Sequence, residues 1–145
     1  MQTFVPEMTY SGIAHSLDNK RLFKQAVEVK QIFRSLTIDD YGWKNHPAVK
    51  MWAGCEEQLL IYGWEMVCHA VSQRGFNSPV LYPWYQQQIS NLQGTDYPMP
   101  AWWGDHRVHA SHRAMLFRKE PDHYPQYQTE ADSINEYYWP TVGVA

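Results

Sequence analysis

Apolar residues along this chain recur at helical spacing and not at strand spacing. Leu22, Ala26, Val29, Phe33 and Leu36 are separated by four, three, four and three positions, which predicts an amphipathic first helix over Leu17–Leu36. A second run, Trp52, Cys55, Leu59, Tyr62, Met66 and Ala70, follows Pro47. It predicts a helix that starts at Pro47, where proline suits the first turn, and closes at Arg74-Gly75 as a cationic last turn with a glycine cap. Val108, Met115 and Leu116 mark the inward side of a third helix from Asp105 to Lys119. Residues 37–46 read as a loop, and 76–104 as a long proline-bearing connection with one short helix over Tyr82–Asn91. Residues 1–12 read as extended, and 120–145 as an irregular tail rich in Tyr, Trp and Pro. No strand alternation, repeat or low-complexity tract stands against this pattern. The expected fold class is all-α, a single domain over residues 1–145 with three main helices and long loops.

Composition narrows the partners. A chain of 145 residues buries a core without disulfide staples. Cys55 and Cys68 lie thirteen residues apart on the predicted second helix and point to roughly opposite faces, so they read as reduced thiols of an intracellular protein. No apolar run approaches the ~20 residues of a membrane span, and MQTFVPEM has no signal-peptide pattern. The expectation is a cytoplasmic protein with no membrane contact. A net charge of -3 excludes a generally basic nucleic-acid binder, so a polyanion site must come from local clustering. Seven Trp and ten Tyr exceed what a core needs and suit stacking on bases or sugars.

Candidate chemistry concentrates in three places. With Arg21 at 0° on the first helix, Lys24, Gln25 and Glu28 fall at about 300°, 40° and 340°, one sector at the edge of the apolar face. One carboxylate among two cations and an amide suits either an ordinary Lys24–Glu28 surface pair or an acid–base group inside a phosphate-binding cleft. In the second place, His106, His109 and His112 recur every three residues, followed by Arg113, Arg118 and Lys119. No H-E-x-x-H arrangement accompanies them, so a His/Arg/Ser face on phosphates is the better expectation than a metal site. In the third, Asn45 and His46 precede Pro47 at a helix start, where free backbone N–H groups favour anions and where simple capping is an equal reading. G-x-x-x-x-G-K-[ST], G-x-S-x-G and C-x-x-C are all missing, which leaves kinase, hydrolase-elbow and zinc-ribbon readings weak.

Four segments, MQTFVP, LDNKRLFKQAVE, GWKNHPAVKMW and SHRAMLFRKEPDHY, stand in this order within residues 1–125. By them the chain resembles the pyrimidine-dimer DNA glycosylase family, the phage endonuclease V group, and most closely its bacterial and phage branch. The better-known phage branch is similar through the Arg74–Asn77 run and the aromatic tail Tyr137-Tyr138-Trp139. The resemblance implies a three-helix, single-layer fold that excises one base of a cyclobutane pyrimidine dimer and nicks the abasic strand. It implies an N-terminal α-amine that forms an imine at the sugar C1′, assisted by a first-helix glutamate that aligns with Glu28. Arg21, Lys24 and Gln25 would hold flanking phosphates of bent DNA, with Asn45, His46, His109, His112, Arg113, Arg118 and Lys119 as further DNA contacts. In the family the amine belongs to a small residue exposed by Met removal. Here residue 2 is Gln, which blocks that removal, so the amine falls to Met1, or to Gln2 if Met1 is lost. Gln31 stands where the phage branch has a basic residue. The resemblance implies no cofactor and no metal. The expected partner is double-stranded DNA carrying a damaged or modified pyrimidine, met by a monomer in a bacterial or phage-infected cell, near the nucleoid. Two alternatives remain: an N-glycosidic enzyme on a modified base without strand nicking, and a non-catalytic DNA-binding domain.

Overall fold

Caps and one glycine, more than apolar spacing, decide where the helices begin and end in the computed structural model, which describes residues 1–140. Thr9 opens α1 (Tyr10–Ser16) by accepting the Gly12 N–H on its hydroxyl at 3.0 Å, inside a segment expected to be extended up to residue 12. Asp18 then sits at the N-cap position of α2 (Asn19–Thr37), so the first long helix starts two residues later than its apolar pattern suggests. The helix expected from Pro47 to Arg74 is two helices. His46 caps the short α3 (Pro47–Lys50), accepting the Ala48 N–H on Nδ1 at 3.0 Å. Gly54, at φ +83°, then breaks the run before α4 (Glu56–Arg74). Trp52 therefore lies in the break. Cys55 is the N-cap of α4 rather than a residue on the same helix as Cys68, and both thiols are free. Gly75 ends α4 at φ +69°, as its sequence predicts. Helix α5 (Leu81–Ser90) follows, then α6 (His106–Lys119), capped by Asp105 through the Arg107 N–H at 3.0 Å. The tail, expected to be irregular, carries a 3-10 turn at Pro125–Tyr127 and α7 (Gln128–Ser133). The architecture is all-α, and the described residues contain no strand pairing.

One apolar core runs from Phe4 to Tyr127, with α2 packed along α4 at its centre. Helix α2 buries a broader stripe than predicted. Leu22, Ala26 and Val29 are inside and Phe33 and Leu36 pack half-buried against the core, while Ile32, Ser35 and the polar Gln25 and Glu28 are buried beside them. Gly63 on α4 is the point where three helices meet. A Cβ there would lie 2.6 Å from the Tyr85 ring of α5 and 2.6 Å from a Val29 methyl of α2. The fully buried aromatics Trp52, Tyr62, Tyr85 and Tyr124 each place their polar tip on an acceptor. Tyr85 donates to the Ala26 carbonyl at 2.5 Å, Tyr124 to Asp18 Oδ1 at 2.6 Å, Tyr62 to the Phe4 carbonyl at 2.6 Å, and Trp52 to Thr3 Oγ1 at 2.8 Å. Two of these four acceptors belong to the first five residues of the chain.

The contact at Gly63 makes a direct prediction. Gly63→Ala gains helix propensity but overpacks the α2–α4–α5 junction, and should lower unfolding stability by about 1–3 kcal/mol. Urea denaturation should show a lower midpoint with an unchanged slope.

Candidate active site

Residues 2–5 are extended and buried without a neighbouring strand. Their peptide groups must therefore be paired by side chains. Gln25 Oε1 accepts the Phe4 N–H at 2.8 Å and also the Tyr62 hydroxyl at 2.9 Å. His112 Nδ1 accepts the Val5 N–H at 2.9 Å, and His109 Nδ1 meets the Val5 carbonyl at 2.7 Å. Arg113 donates to the Pro6 carbonyl at 2.8 Å. These contacts set both tautomers. His109 accepts the Gly104 N–H on Nε2 at 2.9 Å, so its proton is on Nδ1 and is donated to Val5. His112 carries its proton on Nε2, which has no partner among the described residues. Burial lowers His112 to about 3 and lowers His109 as well, so both imidazoles are neutral near pH 7.

The chain start so held forms one wall of a cavity of about 340 Å³. Met1, Gln2 and Phe4 line it together with Glu28 of α2. Glu28 is only 8% exposed. Its Oε1 is 4.0 Å from Lys24 Nζ, and that lysine side chain is 63% exposed, a weak and solvent-screened pair for a carboxylate so enclosed. Lys20, Arg21, Lys24 and Lys119 ring the opening, four cations around one acid in a chain of net charge -3. Arg21 is pinned by Asp18 at 3.2 Å and Glu120 at 3.1 Å, whereas Lys20 and Lys119 are exposed. Gln2 accepts the Thr3 N–H on its own Oε1, and its buried Nε2 donor has no partner among the described residues.

The tail supplies an aromatic to the same cavity. Ser111 Oγ accepts the Tyr138 N–H at 3.0 Å, and the Arg107 guanidinium lies 4.4 Å from the centre of the Tyr138 ring. This lays the tail over α6 and sets Tyr137 against His112 and Phe4, with ring centres 5.6 and 6.3 Å away. Trp139 follows Tyr137 and meets the His46 ring at 6.2 Å. Burial lowers the His46 imidazole below its ordinary range, the Met1 α-ammonium lowers it further, and the Glu28 carboxylate acts in the opposite sense. His46 is thus within electrostatic reach of both groups.

The structure brings Met1, Gln2, Arg21, Lys24, Gln25, Glu28 and Lys119 together around one cavity, with His46 close by and Asn45 exposed on the adjoining loop. Other expected DNA contacts are placed elsewhere. His109 and His112 are buried and hold the chain start, so they form neither a phosphate face nor a metal site. Arg113 pairs with Glu130 at 2.6 Å, and Arg118 donates to the Ala131 and Ile134 carbonyls at the end of α7. The Oε1 of Gln25 is already occupied by Phe4 and Tyr62. Three lining residues, Phe4, Lys20 and Tyr137, were not among the expected site residues. Lys20, Lys24 and Glu28 form an i, i+4, i+8 ridge, a signal that was there to read. Tyr137 was noted in the aromatic tail, but its place on the cavity wall follows from the tail's contacts with α6 and Phe4 and not from local periodicity.

The family model described as pyrimidine dimer DNA glycosylase matches residues 1–81, which hold the chain start, Glu28, three of the ring cations and the loop before α3. No curated protein and no solved structure matches the chain.

The His112 contact predicts how acid unfolds the protein. An unfolded histidine binds its proton near 6.5, and His112 in the fold does so only at about 3. Between these values the unfolded chain holds more protons, so stability falls with falling pH by about 1.4 kcal/mol per pH unit from this group. His112→Asn keeps an acceptor for the Val5 N–H without a titrating ring. It should be less stable at pH 7 but show a shallower acid loss across that window, read by denaturation at a series of pH values.

Proposed function

The chain belongs to the pyrimidine dimer DNA glycosylase family, and from that premise we propose that it excises a cyclobutane pyrimidine dimer base from double-stranded DNA and then nicks the strand. The observation that carries this reading is the meeting of Glu28 and the Met1 end of the chain in one cation-ringed cavity. In the proposed reaction the α-amine of Met1 attacks C1′ of the damaged nucleotide as the glycosidic bond breaks. The electron pair leaves with the base, which then takes up a proton. Glu28 takes the proton the amine loses and stabilises the positive charge that develops at C1′. Glu28 passes that proton to O4′ as the C1′–O4′ bond breaks and its pair leaves with O4′, which yields the imine. Glu28, again a carboxylate, then takes a C2′ proton, the 3′ phosphate leaves with the C3′–O3′ bonding pair, which is the nick, and water hydrolyses the imine to return the amine.

Supporting groups follow from position. Lys20, Lys24 and Lys119 suit flanking phosphates, because they are exposed around the opening. Arg21, already paired with Asp18 and Glu120, shapes the wall and adds less free charge. Gln2 presents a donor that a sugar or base oxygen would satisfy. A single copy of the chain supplies every group in this scheme.

Ultraviolet-irradiated duplex DNA with borohydride tests the amine. The expected product is a covalent protein–DNA adduct whose DNA maps to the N-terminal peptide by mass spectrometry. Base release without an adduct would instead assign a water nucleophile. Glu28→Gln should lower turnover about 100-fold or more while binding stays within a few-fold. Equal turnover in that variant would remove Glu28 from the chemistry. Lys24→Ala and Lys20→Ala should each lower the slope of log K against log salt by about 1, with little sequence dependence.

A further inference from the structure

Gln2 holds a hydrogen-bond donor that the fold leaves unused. Its side chain lines the cavity shared by Met1 and Glu28, and the residue is 6% exposed. Oε1 accepts the Thr3 N–H at 2.9 Å, so a flipped amide would set one N–H against another, and this fixes which end is the donor. Nε2 is buried and has no partner among the described residues. No other described residue lining the cavity has a buried side-chain donor or acceptor left without a partner. The chain just beyond it is clamped. Trp52 Nε1 donates to Thr3 Oγ1 at 2.8 Å, and the Phe4 N–H donates to Gln25 Oε1 at 2.8 Å. The amide is therefore set in place in advance, and a buried donor of this kind is unfavourable until an acceptor meets it.

The proposed reaction has one developing charge with no group assigned to it. Glu28 serves the amine and the sugar, and the exposed lysines around the opening suit phosphates. When C1′–N1 breaks, its electron pair passes to N1 of the pyrimidine and, by amide resonance, to O2. O2 is an acceptor on the minor-groove edge of the base, beside the C1′ that the Met1 amine attacks. Gln2 follows Met1 directly in the chain, and its donor is neutral, which suits a base oxygen better than a phosphate. We propose that the Gln2 amide donates a hydrogen bond to O2 of the departing pyrimidine and stabilises the negative charge that gathers there. Gln2 gives up no proton in this step, because the base is protonated afterwards by water. This assignment rests on the reading of the protein as a glycosylase of damaged pyrimidines and names the group that serves the leaving base.

Two variants of the full chain test it. Gln2→Glu keeps an acceptor for the Thr3 N–H and removes the donor. Gln2→Met removes both at similar length and adds no charge. For each protein, the single-turnover rate of base release from ultraviolet-irradiated duplex is divided by its rate of nicking a duplex whose base is already missing, where nothing leaves from C1′. Partial misfolding of a variant cancels in this ratio. Both variants should lower the ratio on the order of 100-fold, the loss typical of one donor to a developing oxyanion. A residue that only shapes the chain start would slow both steps alike, so a ratio equal to the parent's in both variants would overturn the proposal. That result with base release by the parent leaves the proposed reaction standing. A ratio that depends on Gln2 without a borohydride adduct would sink the amine step and keep the Gln2 assignment. A parent that releases no base overturns both.

Discussion

Residues 2–5 pass through the interior outside any helix or sheet, so their peptide groups depend on side chains for hydrogen bonds. Gln25 from α2, Tyr62 from α4, and His109 and His112 from α6 satisfy them, and Trp52 from the α3–α4 break holds Thr3. Each is a neutral donor or acceptor, and Gln25, Tyr62 and His109 each meet two partners. Removing any of them leaves a buried polar group unpaired, which costs more than the bond itself contributes. The helices are thereby tied to one another through this segment as well as through their apolar faces. The Met1 end is brought to a defined place rather than left to fray, as chain termini usually do.

The same arrangement concentrates charge. The protein is acidic as a whole, yet the cavity mouth carries Lys20, Arg21, Lys24 and Lys119 around a single enclosed carboxylate. Cations are thus concentrated at one place on a chain that is acidic overall. Glu28 receives little compensation from the protein itself, since its Lys24 partner is exposed and 4.0 Å away. Glu28 is thus a buried acid whose one ion-pair partner is weak and solvent-screened.

Two irregular segments complete the site from opposite directions. The loop between α2 and α3 is closed by Lys44 and Ser35 and sets His46 and Trp43 on one side. The tail is fastened over α6 by Ser111 and Arg107 and sets Tyr137 and Trp139 on the other. They meet where the His46 ring faces Trp139. Both segments have little regular structure of their own, so their shape depends on side-chain contacts to the helices they cross.

The helical class, the three long apolar stripes, the Gly75 cap and the sector of Arg21, Lys24 and Glu28 were all legible in the sequence, because they follow from periodicity and local caps. The resemblance in the four segments rested on residues that the fold joins to one another: Thr3 with Trp52, Phe4 with Gln25, Asp18 with Tyr124, and Val5 with His112. What the sequence could not tell was direction. His109 and His112 on α6 looked like a surface for phosphates, yet they face inward and only His106 is exposed, because the Val5 peptide lies there and a helix's own periodicity does not reveal what packs against it. The break at Gly54 was hidden because apolar spacing survives a left-handed glycine that ends the backbone hydrogen-bond run. Tyr137 came to the cavity by contacts across more than a hundred residues of chain, against Phe4. Local pattern therefore determined which segments are helical and which carry the charge. Only the tertiary structure decided which polar groups face the cavity, because burial and pairing depend on neighbours distant in the chain.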